Sequence, residues 1–141
     1  MTSILYNSAK LRILQGDLDF ENDEFKVALF SSAYIANQDA HEFFADLTNE
    51  VSGSGYTAGG KILQNKALIR DDDNDVVVFD AGDLSWTVAT FTARAAVIYK
   101  GTGSPATSPV LAYIDFEEDL EAAGEDFLLQ WHENGILTLG D

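Results

Sequence analysis

Three aspartates at alternate positions are the first residues whose spacing could support metal chemistry. Asp71, Asp73 and Asp75 form a D-x-D-x-D string, and carboxylate oxygens are the ligands that Ca²⁺ prefers. A calcium loop of the EF-hand type would need glycine at position 76 and glutamate at position 82, where this chain has Val76 and Gly82. The string therefore predicts a charged hairpin turn and no metal site.

A denser group of carboxylates lies in the segment 117–126. Its members are Glu117, Glu118, Asp119, Glu121, Glu125 and Asp126. Such a group attracts divalent cations, but its spacing fixes no coordination geometry. We predict a solvated acidic loop.

Catalytic candidates are few. His41 and His132 are the only histidines, and the chain has no cysteine. A catalytic histidine needs a nucleophile or an orienting carboxylate beside it, whereas these two fall on a predicted short helix and at a predicted hairpin end. We predict a protein that is not an enzyme and that has no catalytic residue, no cofactor and no bound metal.

The segment 52–60 is a glycine-rich loop. A phosphate-binding loop would need lysine followed by serine or threonine, but Lys61 is followed by Ile62. We interpret the glycines as positions that need positive φ or close packing against a neighbouring subunit. The predicted interaction residues are Tyr56, the preferred contact anchor, together with Gly53, Gly55, Gly59 and Gly60.

The net charge limits the classes of partner. The 141 residues include 24 acidic and 8 basic side chains, for a formal charge of −16. Nucleic acids and anionic membranes attract basic proteins, so we predict neither as a partner. After Lys100 there is no base at all, but there are nine acids. The acids indicate a self-repelling, soluble surface or, alternatively, a high-salt habitat.

Composition and length predict one domain, residues 1–141, made in a cytoplasm. Without cysteine no disulfide can form, and 46% hydrophobic residues suffice for a core. No apolar run approaches the roughly 20 residues that span a bilayer, and the N-terminus lacks the features of a signal peptide.

Local patterns place helices only near the start of the chain. Residues 7–15 predict a helix that Asn7 or Ser8 caps and that ends at Gly16. Residues 41–47 predict a second, shorter helix with Asp39 as its cap.

The other segments predict about eight strands. They are 25–30, 61–69, 76–79, 84–86, 91–99, 110–116, 127–131 and 136–139. Asn134-Gly135 predicts a tight hairpin between the last two. The fold prediction is mainly β, an antiparallel β-sandwich of about eight strands with one or two short N-terminal helices.

Several stretches of the chain resemble one known protein family. The segment 49–60, with the sequence NEVSGSGYTAGG, carries the strongest resemblance. The others are 26–29, 31–34, 39–44, 84–86, 92–100, 108–109, 113–116 and 135–139. In this order, and over most of the chain, they resemble a family of small virion structural proteins of tailed bacteriophages. The acidic residues 117–121 depart from that resemblance, because they are more charged than the family pattern.

The resemblance implies a head decoration or cement protein, or alternatively a tail or fibre component of the same virion. It implies a homo-oligomer located in the virion, assembled in the host cytoplasm, whose partners are the major capsid protein or other virion proteins. The loops 52–60 and 101–109 are predicted to supply the contacts, because both contain no charged residue and interface cores are depleted in charge. A carbohydrate-binding or calcium-binding module is a third possibility.

Overall fold

The computed structural model describes residues 1–140 and contains two antiparallel β-sheets with one α-helix near the N-terminus. The elements are β1 (Thr2–Leu5), α1 (Asn7–Gln15), β2 (Phe25–Phe30), β3 (Lys61–Ile62), β4 (Ala67–Asp71), β5 (Val76–Asp80), β6 (Leu84–Lys100), β7 (Val110–Leu129) and β8 (Leu137–Leu139). One sheet has the order β1-β7-β6-β2-β3 and the other β4-β5-β8. This architecture confirms the predicted antiparallel β-sandwich class.

β2 lies inside the five-stranded sheet, between β6 and β3. Its near-continuous apolar run predicts burial on both faces, and every β2 residue except Lys26 is buried. The register pairs Phe25 with Lys100 and Phe30 with Ala95. β2 therefore brings Lys26 next to the end of β6, where the loop 101–109 begins.

β6 and β7 form one long hairpin of 17 and 20 residues. The prediction of an acidic loop at 117–126 is wrong, because these residues belong to β7. Ala122 is buried within the run, while the carboxylates around it face solvent. Bulges interrupt the ladder: Ala93 pairs with Leu120 but Ala95 pairs with Asp115, which leaves residues 116–119 unpaired with β6.

The second sheet differs from the prediction in its last strand. β4 and β5 form the predicted hairpin, but β8 pairs with β5 and not with the strand before it. The Asn134-Gly135 turn therefore redirects the chain from one sheet to the other. A Cβ on Gly135 would lie 2.3 Å from Val78 Cγ1, so this glycine permits the close approach to β5.

The structure corrects two predicted elements and one predicted helix cap. The predicted strand 61–69 is divided between β3 and β4, in different sheets, with Asn65 at a φ of 55° between them. The predicted helix at 41–47 is only a 3₁₀ turn, Phe44–Asp46, whose N-cap residue is Phe43 rather than Asp39. The carboxylate of Asp46 accepts hydrogen bonds from two main-chain N–H groups just before this turn and so fixes its start.

Helix α1 agrees with its predicted bounds. It ends as expected at Gly16, which has a left-handed conformation, but its N-cap residue is Tyr6 and no side chain caps it. No helix of residues 1–140 is long and apolar enough to cross a membrane.

Aromatic side chains pack between the sheets and under the β6–β7 hairpin. The Phe25 and Phe79 ring centroids lie 5.9 Å apart and join the two sheets, with Phe20 against both. Trp86 and Phe127 pack edge to face, 6.0 Å apart. This second group forms the base on which the loop 52–60 sits.

Candidate functional site

The two uncharged loops singled out by the sequence meet at one end of the five-stranded sheet. Residues 58–59 of the first loop and residues 101, 103–105 and 108 of the second border a groove of about 460 Å³. Glu24, Lys26, Phe44, Glu50 and Tyr99 form the remainder of its lining. We call this feature the two-loop groove.

Glu50 holds the first loop in place. Its Oε2 atom accepts hydrogen bonds from the Tyr56 hydroxyl, at 2.6 Å, and from the Gly59 N–H, at 2.7 Å. The main chain positions this carboxylate, because Glu50 bridges to the last residue of β2 and Val51 N–H donates to Leu29 O. One side chain thus ties the middle of the loop and its C-terminal end to the sheet.

The Tyr56 side chain points towards the core of its own chain rather than into solvent. Its ring is half-buried against Trp86 and Phe91, with centroid distances of 6.2 and 5.7 Å. Its hydroxyl accepts a hydrogen bond from the Leu29 N–H at 2.9 Å while donating to Glu50. Burial raises the pKa of the Tyr56 phenol above its usual range. The residue predicted as a contact anchor therefore fastens the loop to the sheet, and the geometry does not favour the anchor role.

The conformation and packing of the chain itself explain the glycines of the loop 52–60. Gly55, Gly59 and Gly60 have φ values of 83°, 93° and 80°, a region that L side chains rarely occupy. A Cβ on Gly60 would lie 1.8 Å from a β2 carbonyl oxygen, and one on Gly53 would lie 2.3 Å from a β6 carbonyl oxygen. Positive φ was one of the two expectations for these glycines, and within the chain their close packing is against β2 and β6.

Lys26 runs along the groove between the two loops. A Cβ on Gly101 would lie 3.0 Å from Lys26 Cδ, and a Cβ on Gly59 would lie 3.3 Å from Lys26 Nζ. Tyr99 closes the gap beside it by donating its hydroxyl hydrogen bond to Gly59 O at 2.6 Å. Glycine in both loops therefore makes the space through which the lysine passes.

The second loop is held by its own hydroxyl groups. Thr102 Oγ1 lies 2.7 Å from Thr107 Oγ1, and Ser108 Oγ donates to Ser104 O at 2.7 Å. Ser108 is buried, while residues 102–107 are exposed as predicted. Because these bonds fix the loop in one shape, the groove is preformed.

The 3₁₀ turn supports the second loop from below. Phe44 stacks on Tyr99 with ring centroids 4.3 Å apart, and its N–H donates to Ser108 O at 2.8 Å. An isolated bridge also joins Phe43 to Pro109. Sequence reasoning missed Lys26, Phe44, Glu50 and Tyr99 as site residues, since only strand pairing and loop packing bring them together.

The aspartate string is used to shape a turn. Asp71 Oδ1 accepts hydrogen bonds from the N–H groups of Asp73 and Asn74, and the Asn74 amide donates to Asp71 Oδ2 at 2.8 Å. These bonds, the Asn74 amide first, lower the pKa of Asp71. In residues 1–140, no three His, Cys, Asp or Glu side chains are grouped to hold a metal ion.

The two histidines occupy structural positions. His41 Nδ1 lies 2.8 Å from the Tyr34 hydroxyl, which in turn lies 2.8 Å from the Tyr6 hydroxyl. The Asn37 N–H also donates to His41 Nδ1, so this chain of hydrogen bonds joins the segment 37–41 to the sheet. His132 Nδ1 accepts a hydrogen bond from the Asn134 N–H in the turn before β8.

Comparisons with protein families, with curated proteins and with solved structures find no match for this chain.

Proposed function

We propose that this protein is a non-enzymatic structural component of a tailed-virus particle, a capsid decoration or cement protein that binds the head lattice. One observation carries the proposal: separate stretches that resemble phage virion proteins come together at the two-loop groove. The groove takes Lys26 from 26–29, Phe44 from 39–44, Glu50 from 49–60, Tyr99 from 92–100 and Ser108 from 108–109.

The physical character of this end of the molecule supports a contact role. The loops contain no charged residue, although the chain has 32 acidic and basic residues in all. Loops that their own hydrogen bonds hold in place lose little conformational entropy on binding, and the core of an interface is typically depleted in charge. The acidic remainder of the surface would keep the protein soluble and oppose non-specific contacts.

The test is to follow the chain in particles assembled from the same viral genome. Heads and tails are separated on a density gradient, and the chain is quantified by mass spectrometry relative to the major capsid protein. We expect it in the head fraction, in a fixed ratio to the capsid protein, and visible as added density by cryo-electron microscopy.

The location of the chain also decides between the candidate functions. Recovery only with tails would replace the head role with the alternative role of a tail or fibre component. Absence from both fractions, in cells where the chain is made, would refute the virion proposal.

A further inference from the structure

The strand edges of the two sheets differ in how open they are. β3 and β8 have only two and three residues, and the free part of β7 carries exposed acids. On β1, the Gln38 amide already donates a hydrogen bond to Leu5 O at 2.7 Å. β4 is the outer strand of the three-stranded sheet and has five residues, Ala67–Asp71. Within residues 1–140, β4 is therefore the longest edge that is closed neither by a side chain nor by a row of acids.

The outer edge of β4 presents both main-chain and apolar groups. The ladder to β5 uses the N–H and C=O groups of alternate residues, and no other group within residues 1–140 bonds the main chain of 67–71. Leu68 and Ile69 are 41% and 49% exposed, and as neighbours in a strand they lie on opposite faces of the sheet. An exposed edge strand with apolar side chains is a template for pairing with another strand.

The sequence of β4 is complementary to itself. Opposite residues of an antiparallel pair share a face, so a two-fold pairing of two copies places one residue opposite its own copy. Centring the pair on Ile69, the middle of β4, pairs the whole strand and places Leu68 opposite Arg70 of the second copy. A centre at Leu68 would place Lys66 opposite Arg70, and a centre at Arg70 would place two arginines opposite each other. Like charges opposite each other are destabilising, so the register at Ile69 is the favourable one.

We propose that two copies of this chain pair through their β4 edges, antiparallel and about a two-fold axis at Ile69, to form one six-stranded sheet. On the face that bears Ile69, the register aligns Thr138, Val78 and Ile69 with the same three residues of the second copy. The exposed Ile69 side chain thereby gains an apolar neighbour. The inference does not rest on the proposed function, because β4 lies outside the two-loop groove.

Antiparallel pairing also keeps the acidic turns of the two copies apart. The turn after β4 contains Asp72, Asp73 and Asp75. Antiparallel strands place the two turns at opposite ends of the paired edge, whereas parallel strands would bring them together. Two copies with a formal charge of −16 each still repel, and five residues a side make a small interface. We therefore expect a weak dimer that salt strengthens.

Paired charge variants test the two-fold register in the purified full chain, by sedimentation velocity at about 0.15 M salt. Ile69→Lys and Ile69→Glu each place like charges opposite each other and remove an apolar contact. Each should therefore raise the dissociation constant of the dimer about tenfold. An equimolar mixture of the two variants should recover association as a heterodimer, because residue 69 lies opposite its own copy.

Leu128→Lys and Leu128→Glu are the matched controls, because Leu128 is an apolar strand residue outside β4 and is 56% exposed. Thermal unfolding of each variant separates lost contact from lost fold. Ile69→Cys gives a second measurement that introduces no charge. The chain has no cysteine of its own, and the proposed register places the two Cβ atoms of residue 69 about 4.5–5.5 Å apart. Oxidation should therefore link two copies far more completely in Ile69→Cys than in Leu128→Cys.

Three results would overturn the inference. They are a wild-type chain that stays monomeric at about 0.5 mM in about 0.5 M salt, equal effects at positions 69 and 128, and no recovery in the mixture. Pairing of β4 with the β8 edge of another copy, or with a strand of a different protein, gives the last of these, because residue 69 would not lie opposite itself.

Discussion

Tyr56 links the loop 52–60 to the core through both its ring and its hydroxyl. The ring packs on Trp86 and Phe91, and the hydroxyl joins the Glu50 carboxylate to the Leu29 N–H. Removing the ring would open a cavity under the loop, whereas removing the hydroxyl alone would leave a half-buried donor and a carboxylate without their partner.

We expect Tyr56→Ala to lower the free energy of unfolding by about 3 kcal/mol and Tyr56→Phe to lower it by about 1 kcal/mol, as measured by urea denaturation. Tyr113→Phe is the matched control, since the Tyr113 hydroxyl forms no hydrogen bond within residues 1–140. Equal stability of the two Tyr→Phe variants would show that the hydroxyl bridge contributes nothing.

Asp115 provides a pH-dependent contribution next to the bulge at residues 116–119. Its Oδ1 accepts a hydrogen bond from Arg94 Nε at 2.8 Å, and this bond, more than any other factor, lowers the pKa of Asp115 below its usual value. A carboxylate whose pKa is lower in the folded state stabilises the fold above its unfolded pKa of about 3.9, and this contribution is lost as the pH falls through the folded pKa.

Asp115→Asn should therefore be less stable than wild type above about pH 5, and the difference should shrink towards about pH 2. Chemical denaturation across this range measures it. Arg94→Gln should remove the same contribution, and the double variant should lose less than the sum of the two. Additive losses would contradict the assignment to this pair.

At the level of single residues, sequence reasoning succeeded where the cause is local. Gly16 at a helix end and the positive φ of the loop glycines follow from chain stereochemistry, which a short window contains. Tyr56 is different, because an aromatic residue among Gly and Ser has the pattern of an exposed anchor. Its partners Glu50 and Trp86 reach it only through loop and strand packing.

β7 shows why the acidic segment was predicted as a loop. Charge density indicates solvent contact, and these carboxylates are indeed exposed. The alternation of Leu120, Ala122 and Phe127 with the acids was the signal for a strand, but bulges near residues 116–119 and at Gly124 break its period. A hydrophobic alternation whose phase shifts several times does not predict a single strand.

The acids of β7 protect an open sheet edge. β1 pairs only with Ala112 to Asp115, so in residues 1–140 the later part of β7 has β6 on one side and no strand on the other. Exposed strand edges template aggregation, and charged side chains along them oppose it. This role belongs to Glu121 and Glu125, which lie beyond the bulge at residues 116–119.

Replacing Glu121 and Glu125 together by Thr, a neutral strand former, should increase aggregation at neutral pH, as measured by light scattering during prolonged incubation. The control is Asp73→Thr with Glu133→Thr, which makes the same charge change at exposed positions outside β7. Equal aggregation of the two double variants would attribute the effect to net charge instead of the edge.

At the scale of the whole molecule, most of the negative charge is uncompensated. Within residues 1–140, five ion pairs involve five acidic residues, and all five pairs are at least partly exposed. Exposed pairs contribute little, so the repulsion among the other acids dominates the electrostatic free energy.

Sodium chloride should therefore raise the melting temperature between low ionic strength and about 1 M, because the screening length falls from about 30 Å at 0.01 M to about 3 Å at 1 M. The Asp73→Thr, Glu133→Thr variant should show a smaller rise. A flat or falling curve would mean that local pairing already neutralises the acids, and it would weaken the interpretation as a high-salt surface.

The fold class was predictable because strand content and turns are local properties. Strand connectivity was not: Asn134-Gly135 has the sequence of a hairpin turn, yet β8 adds to β5, more than 50 residues earlier in the chain. The two-loop groove was predictable only in part. The uncharged loops marked its rim, but nothing near Lys26 in the sequence indicates that residues 59 and 101 will flank it.

The edge position of β1 has a consequence for the order in which the molecule is made. Thr2 pairs with Asp115, so β1 can pair with β7 only after the intervening part of the chain has been synthesised. β2 likewise depends on β6, whereas the β4–β5 and β6–β7 hairpins need only adjacent sequence. Because pairings distant in sequence form slowly, we expect the hairpins to organise first and the N-terminal segment to dock last.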